Sequence, residues 1–354
     1  LKISGVRLLS KNVKFDFGSG SMIGYYVHHR GSGHLHRAMA VSGALAEPVT
    51  ILSSLSRPAS WTGGWVDLPL DTDVVPVDPG AGGDFHWAPL GSDGLRDRMA
   101  AVSTWIRDAK PSVIVVDVSV EVSVLARLHG VRVVTYAQPG DRSDAAHTVG
   151  YRVASAIIAP WPAGIKPTVV EPTVEARFHH VGAISRIPVA PDLPRQSNRI
   201  AILNGSGGLG VSTLDAFVAQ CVEALPDREW VRLEGQSAAT VERTLRECSL
   251  VLAHCGQNAV AEIAACRTPA ILVPEDRPHG EQEALGRALN QSEFPVVVSS
   301  PRVGAPRASL IDEALRSGGQ AWSEWVDGNA SLRAASVIEA VASGAPADRG
   351  MPTA

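Results

Sequence analysis

Residues 254–282 read HCGQNAVAEIAACRTPAILVPEDRPHGEQ, and the structure they encode sets the pattern for the whole chain. The apolar run Leu250 to Ala253 enters them as a strand. Gln257 to Cys266 then follows helical spacing: Val260, Ile263 and Ala264 share an apolar face, while Glu262 stays near the helix entrance. Thr268-Pro269 breaks the helix, and Ala270 to Val273 reads as the next strand. The order is strand, tight turn, helix, strand, with polar groups at the helix N-terminus. That end suits a phosphate, because first-turn N–H groups lack intrahelical acceptors and the helix dipole is positive there.

The same alternation extends in both directions. Upstream, Arg199 to Leu203 is a strand, and Asn204-Gly205-Ser206-Gly207-Gly208-Leu209-Gly210 is a glycine-rich loop; a helix over 211–224 and a strand from Trp230 to Leu233 follow. Alone, such a loop is a weak signal. Opposite a second phosphate-ready turn at His254 to Asn258 it gains force. In the first half, Ile23 to Val27 is a strand that runs into His28-His29-Arg30-Gly31-Ser32-Gly33-His34, a polar loop without GxGxxG order. Helices over 35–45, 95–109, 120–129 and 145–154 alternate with strands over 49–52, 113–116, 131–135 and 156–159. Gln138 to Arg142 reads as a loop. The segment 55–95, rich in Gly, Pro and Asp, is either a cleft-lining loop or one anchored by Trp61, Trp65 and Trp87. Repeated strand–helix alternation predicts an α/β protein with mostly parallel sheets covered on both faces.

Pro188, Pro191 and Pro194 place a domain boundary near 187–198. The expected organisation is a linker-like extension at 1–21, a first Rossmann-like domain at 22–190, a second at 198–325, and a C-terminal helix with a flexible tail at 326–354. A chain of 354 residues with 19% charged residues and a net charge of -4 reads as globular and lacks the basic stripe that duplex nucleic acid needs. Four cysteines without a CxxC pair argue against a disulfide framework or a cysteine-rich zinc site. No apolar stretch is long enough to span a membrane, so the expected location is cytoplasmic, with attachment to the inner membrane face or self-association left open.

The residue chemistry narrows the function. His254 and Asn258 can approach one anion. Glu262 lies four residues beyond Asn258 on the same helical face and, as a carboxylate, can accept both hydroxyl hydrogens of a ribose. Glu281-Gln282 can reach the hydroxyls of a sugar. His34 stands at a loop-to-helix junction, where a capping role and a catalytic role are both open. Gly33 permits close backbone approach. Asp117, at a strand end, can orient a base or simply cap the strand.

These residues resemble a known donor signature. His254-Cys255-Gly256-x-Asn258-x-x-x-Glu262, then Pro269, Pro274 and Glu281-Gln282, is similar to that of small-molecule glycosyltransferases using nucleotide-diphosphate sugars, although Gln257 and Ala259 depart from the tryptophan and serine of the plant pattern. Gly31-x-Gly33-His34, Gln138-Pro139-Gly140, Val181-Gly182 and Gly205-Ser206-x-Gly208 resemble, in similar order, the bacterial family that adds N-acetylglucosamine to lipid-linked muramyl-pentapeptide. The resemblance implies the GT-B fold, two Rossmann-like domains facing across a cleft, and a nucleotide-sugar-dependent hexosyltransferase. It implies that Gly205 to Gly208, His254, Gly256 and Asn258 bind the pyrophosphate, Glu262 the ribose, and Glu281 and Gln282 the sugar. His34 becomes the general base, with His28, His29, Arg30, Gly33 and Gln138 on the acceptor side. No aspartate metal motif stands out, so no metal or further cofactor is expected beyond the co-substrate, a nucleotide sugar with UDP favoured. The acceptor class stays open among small molecules, glycans and lipid-linked substrates. Gly31-x-Gly33-His34-x-x-Arg37 also resembles a nucleotide-sugar hydrolase of the pseudaminic-acid pathway. That leaves hydrolysis, or a non-catalytic sugar-nucleotide-binding subunit, as the alternatives.

Overall fold

Every strand pairing among the described residues is parallel, the geometry favoured by near-continuous Val, Ile and Leu runs whose two faces are both covered. The computed structural model describes residues 22–29, 31, 33–190, 194–204, 213–298 and 307–345. The extension 1–21, Arg30, and Gly205, Ser206, Gly207 and Gly208 fall outside them.

The first half runs β1 (Ile23–Val27), α1 (Gly33–Ser42), β2 (Val49–Ser53), β3 (Gly64–Asp67), α2 (Asp93–Ala109), β4 (Val113–Asp117), α3 (Val120–Leu128) and β5 (Arg132–Tyr136). It continues through β6 (Gly140–Asp141), α4 (Ala145–Val153), β7 (Ala156–Ala159), β8 (Thr168–Val169), α5 (Pro172–Glu175) and β9 (Phe178–His180). The second half runs β10 (Gln196–Leu203), α6 (Thr213–Ala224), β11 (Glu229–Arg232), α7 (Ala238–Glu247), β12 (Cys248–His254) and α8 (Gln257–Ala265). Then come β13 (Ala270–Val273), α9 (Glu281–Asn290), β14 (Val296–Val298), α10 (Arg307–Arg316), α11 (Trp322–Trp325) and α12 (Ala330–Ser343).

Two main parallel sheets result, with strand orders β3-β2-β1-β4-β5-β7-β9 and β11-β10-β12-β13-β14. In each, the chain winds outward in both directions from a central pair, β1/β4 in the first sheet and β10/β12 in the second. Connections leave such a pair on opposite sides and open a crevice at the strands' C-terminal ends, where α/β sheets bind ligands. Asp117 ends β4, His28 directly follows β1, and His34 lies at the start of α1. Asn204 follows β10, and His254 ends β12.

The sequence reading and the structure differ in instructive places. Gly140–Asp141 leaves the expected loop to pair with Thr168–Val169 as a two-stranded sheet. Helix α7 has no counterpart in the sequence reading, because few of its residues are apolar; Val241 and Leu245 are buried, and Ser237 caps its N-terminus. The segment 55–95 contributes β3 and is anchored: Trp87 Nε1 donates to the Asp71 carbonyl, and Asp71 pairs with buried Arg98 at 3.1 Å. The C-terminal helix does not stay with the second sheet. Ala330, Ala334, Ile338 and Val341 of α12 join the core of β1, β4 and α1. No helix among the described residues is long and apolar enough to cross a membrane.

Trp322 anchors the second half. It is fully buried, stacks on Phe294 with ring centroids 5.4 Å apart, and its Nε1 donates to the Thr268 carbonyl at 2.8 Å. Trp322→Ala is therefore expected to cost about 3–5 kcal/mol, from the lost burial and the cavity left behind; urea unfolding would measure it.

Candidate functional site

The first-half side of the crevice is a buried charge cluster. His34 Nδ1 lies 3.1 Å from Asp117 Oδ1. Arg37, one turn further along α1, grips the same carboxylate with two bonds, Nε to Oδ2 at 2.9 Å and Nη2 to Oδ1 at 2.8 Å. Its guanidinium lies over the Tyr136 ring at 4.6 Å, and Tyr25 donates its hydroxyl to Tyr136 beneath. Asp117 has no exposed surface. Burial pushes its carboxyl up, but the Arg37 charge, and then His34, outweigh burial and hold it at about 2. With its hydrogen on Nδ1 the ring donates to Asp117, while Arg37 Nη2, 3.2 Å from the same nitrogen, serves the carboxylate. Nε2 is thereby left with the lone pair. Val118, immediately after Asp117, adopts φ 69°, a left-handed conformation that a β-branched residue rarely takes.

The second-half side is a helix end. Gly256 is the N-cap of α8 and offers no side-chain cap, in contrast to Ser92, Ser119, Asp144 and Ser237, which cap α2, α3, α4 and α7. His254 Nδ1 lies 3.2 Å from the Val273 carbonyl, which fixes its ring. Gln282 is buried, and its Oε1 accepts from the backbone N–H of both Cys255 and Glu275. It thus ties together the turns that follow β12 and β13, and only its amide nitrogen is left for a ligand. Burial pushes the Cys255 thiol well above its ordinary value, so that neighbour is inert.

Two close approaches to glycine backbone bring the sides together. A Cβ added to Gly33 would fall 1.8 Å from Asn258 Nδ2, so α1 and α8 begin against each other. A Cβ on Gly140 would fall 2.4 Å from the His279 carbonyl oxygen, and Arg142 reaches Glu281 at 3.4 Å beside it.

Between these contacts lies a cleft of about 590 Å³. His34, Gln138, His254, Gly256, Asn258, Glu281 and Gln282 all line it. Gln138 Nε2 is buried there without a hydrogen-bond partner, a costly arrangement that a ligand acceptor would relieve. Glu262 is placed elsewhere: it is buried and paired with Arg186 at 2.6 Å, beside a small side cavity with Arg37 and Asn258. His28 stacks on His29 at 4.6 Å, edge-on to His34 at 6.5 Å, and neither is among the residues lining the cleft. Sequence reasoning missed Arg186 and Arg142, which lie 76 and 139 residues from their acidic partners. It also gave Arg232 and Arg277 no role, although both line the cleft. The signal available for Arg37 was its position one helical turn after His34.

With this geometry in hand, the fold is that of the GT-B glycosyltransferases. No family model matches the sequence. The chain is similar to the solved glycotransferase of kitacinnamycin, with a TM-score of 0.64 and 16% identity over 91% of this chain and 98% of that one. SnogD from Streptomyces nogalater gives 0.61 and 17%, over 91% and 100%. MurG of Acinetobacter baumannii gives 0.59 and 14%, over 90% and 99%.

The Asp117 charge carries a pH signature. Its folded value lies below its ordinary 3.8, so its contribution to stability is full above about pH 4 and is lost as pH falls through about 2. Unfolding in urea across a pH series should show the stability gap between wild type and Asp117→Asn narrowing by roughly 2 kcal/mol from pH 5 downward. A gap constant over that range contradicts the assignment.

Proposed function

We propose that this chain is a glycosyltransferase that moves a sugar from a nucleotide-diphosphate donor, a UDP-sugar by preference, to an acceptor hydroxyl with inversion and without a metal in the reaction. The observation that carries the reading is His34, held by buried Asp117 at 3.1 Å and lining one cleft with the uncapped N-terminus of α8.

In this reading the diphosphate sits at the start of α8. First-turn N–H groups, His254 and Asn258 take up the negative charge that grows on the departing phosphate. Gln138, Glu281 and the Gln282 amide nitrogen face the sugar. The acceptor oxygen gives its proton to His34 Nε2 as it attacks the anomeric carbon from the face opposite the leaving phosphate. The carbon–oxygen bond forms as the bond to the diphosphate breaks. Asp117 holds the imidazole in the required tautomer and stabilises the imidazolium that results. Glu262 reaches the ribose by sharing or leaving its bond to Arg186.

Two substitutions test the assignments separately. His34→Ala should lower turnover by about 10²–10⁴-fold, while calorimetry still detects nucleotide-sugar binding; normal turnover removes His34 as the base. Glu262→Gln should weaken nucleotide-sugar affinity without abolishing folding, and unchanged affinity rejects its ribose role. Mass spectrometry of protein incubated with donors and cell extract reads donor and product together. Sugar released at the same rate with and without an acceptor would instead make this a nucleotide-sugar hydrolase, with His34 activating water.

A further inference from the structure

We propose that His86, Asp144, His147 and His279 form a binding site for a divalent transition-metal ion of the zinc class, one that bridges the two halves of the chain. The four come from three separated segments. His86 lies in the long connection between β3 and α2, Asp144 and His147 at the N-terminus of α4, and His279 in the turn before α9. One ligand atom from each lies within 4.8 Å of all the others. His147 Nδ1 is 2.5 Å from Asp144 Oδ2, His86 Nε2 is 3.5 Å from Asp144 Oδ1, and His279 Nδ1 is 3.7 Å from Asp144 Oδ2. Four donors around a tetrahedral ion with bonds of about 2.0–2.1 Å stand roughly 3.3 Å apart, so modest side-chain rotations complete the shell. Three imidazoles and one carboxylate suit zinc, cobalt or nickel, whereas magnesium and calcium prefer oxygen donors throughout.

The backbone supplies a second observation. His279 and Gly280 both adopt left-handed conformations, with φ 62° and 61°. Such a conformation is costly for a histidine and persists where its surroundings fix it. The turn packs against Gly140 of the first half, and the His279 ring stands edge-on to those of His147 and His86, at 4.8 and 5.7 Å.

One existing bond must change. Arg142 Nη1 lies 3.2 Å from His147 Nε2. Once Nδ1 binds the ion, Nε2 carries a hydrogen, and Arg142 can no longer donate to it. The guanidinium keeps its bonds to the Pro139 carbonyl and to Glu281. Through the second of those bonds Arg142, beside the ion's ligand His147, connects to Glu281, a residue lining the cleft. The ion's part is to fix the separation of the halves; it takes no step in the transfer.

The test uses the full chain, stripped with chelator and dialysed. Zn²⁺ titration by calorimetry should give one ion per chain and a raised Tm, and Co²⁺ should give the visible absorption of a four-coordinate ion. His86→Gln, Asp144→Asn and His279→Asn should each weaken binding by at least about tenfold and erase the Co²⁺ signature. Asparagine at 144 preserves the cap of α4, and asparagine at 279 tolerates the left-handed backbone; circular dichroism checks that each variant is folded. A wild type that takes up no ion, or three variants that bind as tightly as wild type, overturns the site. If only His279→Asn binds like wild type, the bridging of the two halves is overturned.

Discussion

Two helices in this molecule start head against head. Gly33 opens α1 and Asn258 sits in the first turn of α8, so close that a side chain at position 33 would have to displace the Asn258 amide. Each helix start carries partial positive charge, and two such ends repel across a narrow gap. An anion between them turns that repulsion into attraction from both sides. The spacing of the halves, the width of the cleft and the reach of His34 towards the second half all depend on this approach. It also accounts for a glycine in a helix that would otherwise favour alanine, since a Cβ there would push the Asn258 amide aside.

The histidine side depends on a second constraint, the cost of a buried carboxylate. Asp117 is removed from water, and Arg37 offsets that cost with two parallel bonds while Tyr136 backs the guanidinium. Losing either partner would leave a buried charge alone, so the cluster behaves as a unit. The histidine is the one member that is partly exposed, with its side chain 23% accessible. The geometry therefore places a fixed negative charge behind a ring that still faces the cleft.

The alternation of strands and helices was legible in the sequence because β1, β4 and β12 are continuous apolar runs, buried almost throughout. The pairing of His34 with Asp117 was not legible from spacing, since 83 residues separate them. The parallel register supplies it: Val27 aligns with Asp117, so whatever follows β1 must meet the end of β4. The uncapped helix start at Gly256 was readable, since it depends on consecutive residues. The Arg186 pairing of Glu262 and the gathering of His86, Asp144, His147 and His279 were not, because each is made by the docking of distant segments. Helix α7 escaped for a different reason: most of its residues are polar, and a narrow apolar stripe with Val241 and Leu245 covers the sheet.

The return of α12 to the first sheet means that the chain crosses between the halves twice. The crossings lie side by side: Ala183 N–H donates to the Trp325 carbonyl, and Arg333 donates to the Val181 carbonyl through both Nε and Nη2. A single tether would let the halves swivel freely; two cross-bonded straps act like a door hinge, restricting their relative motion largely to rotation about one axis. A hinge of that kind would carry the two cleft walls along one arc and return them to the same register.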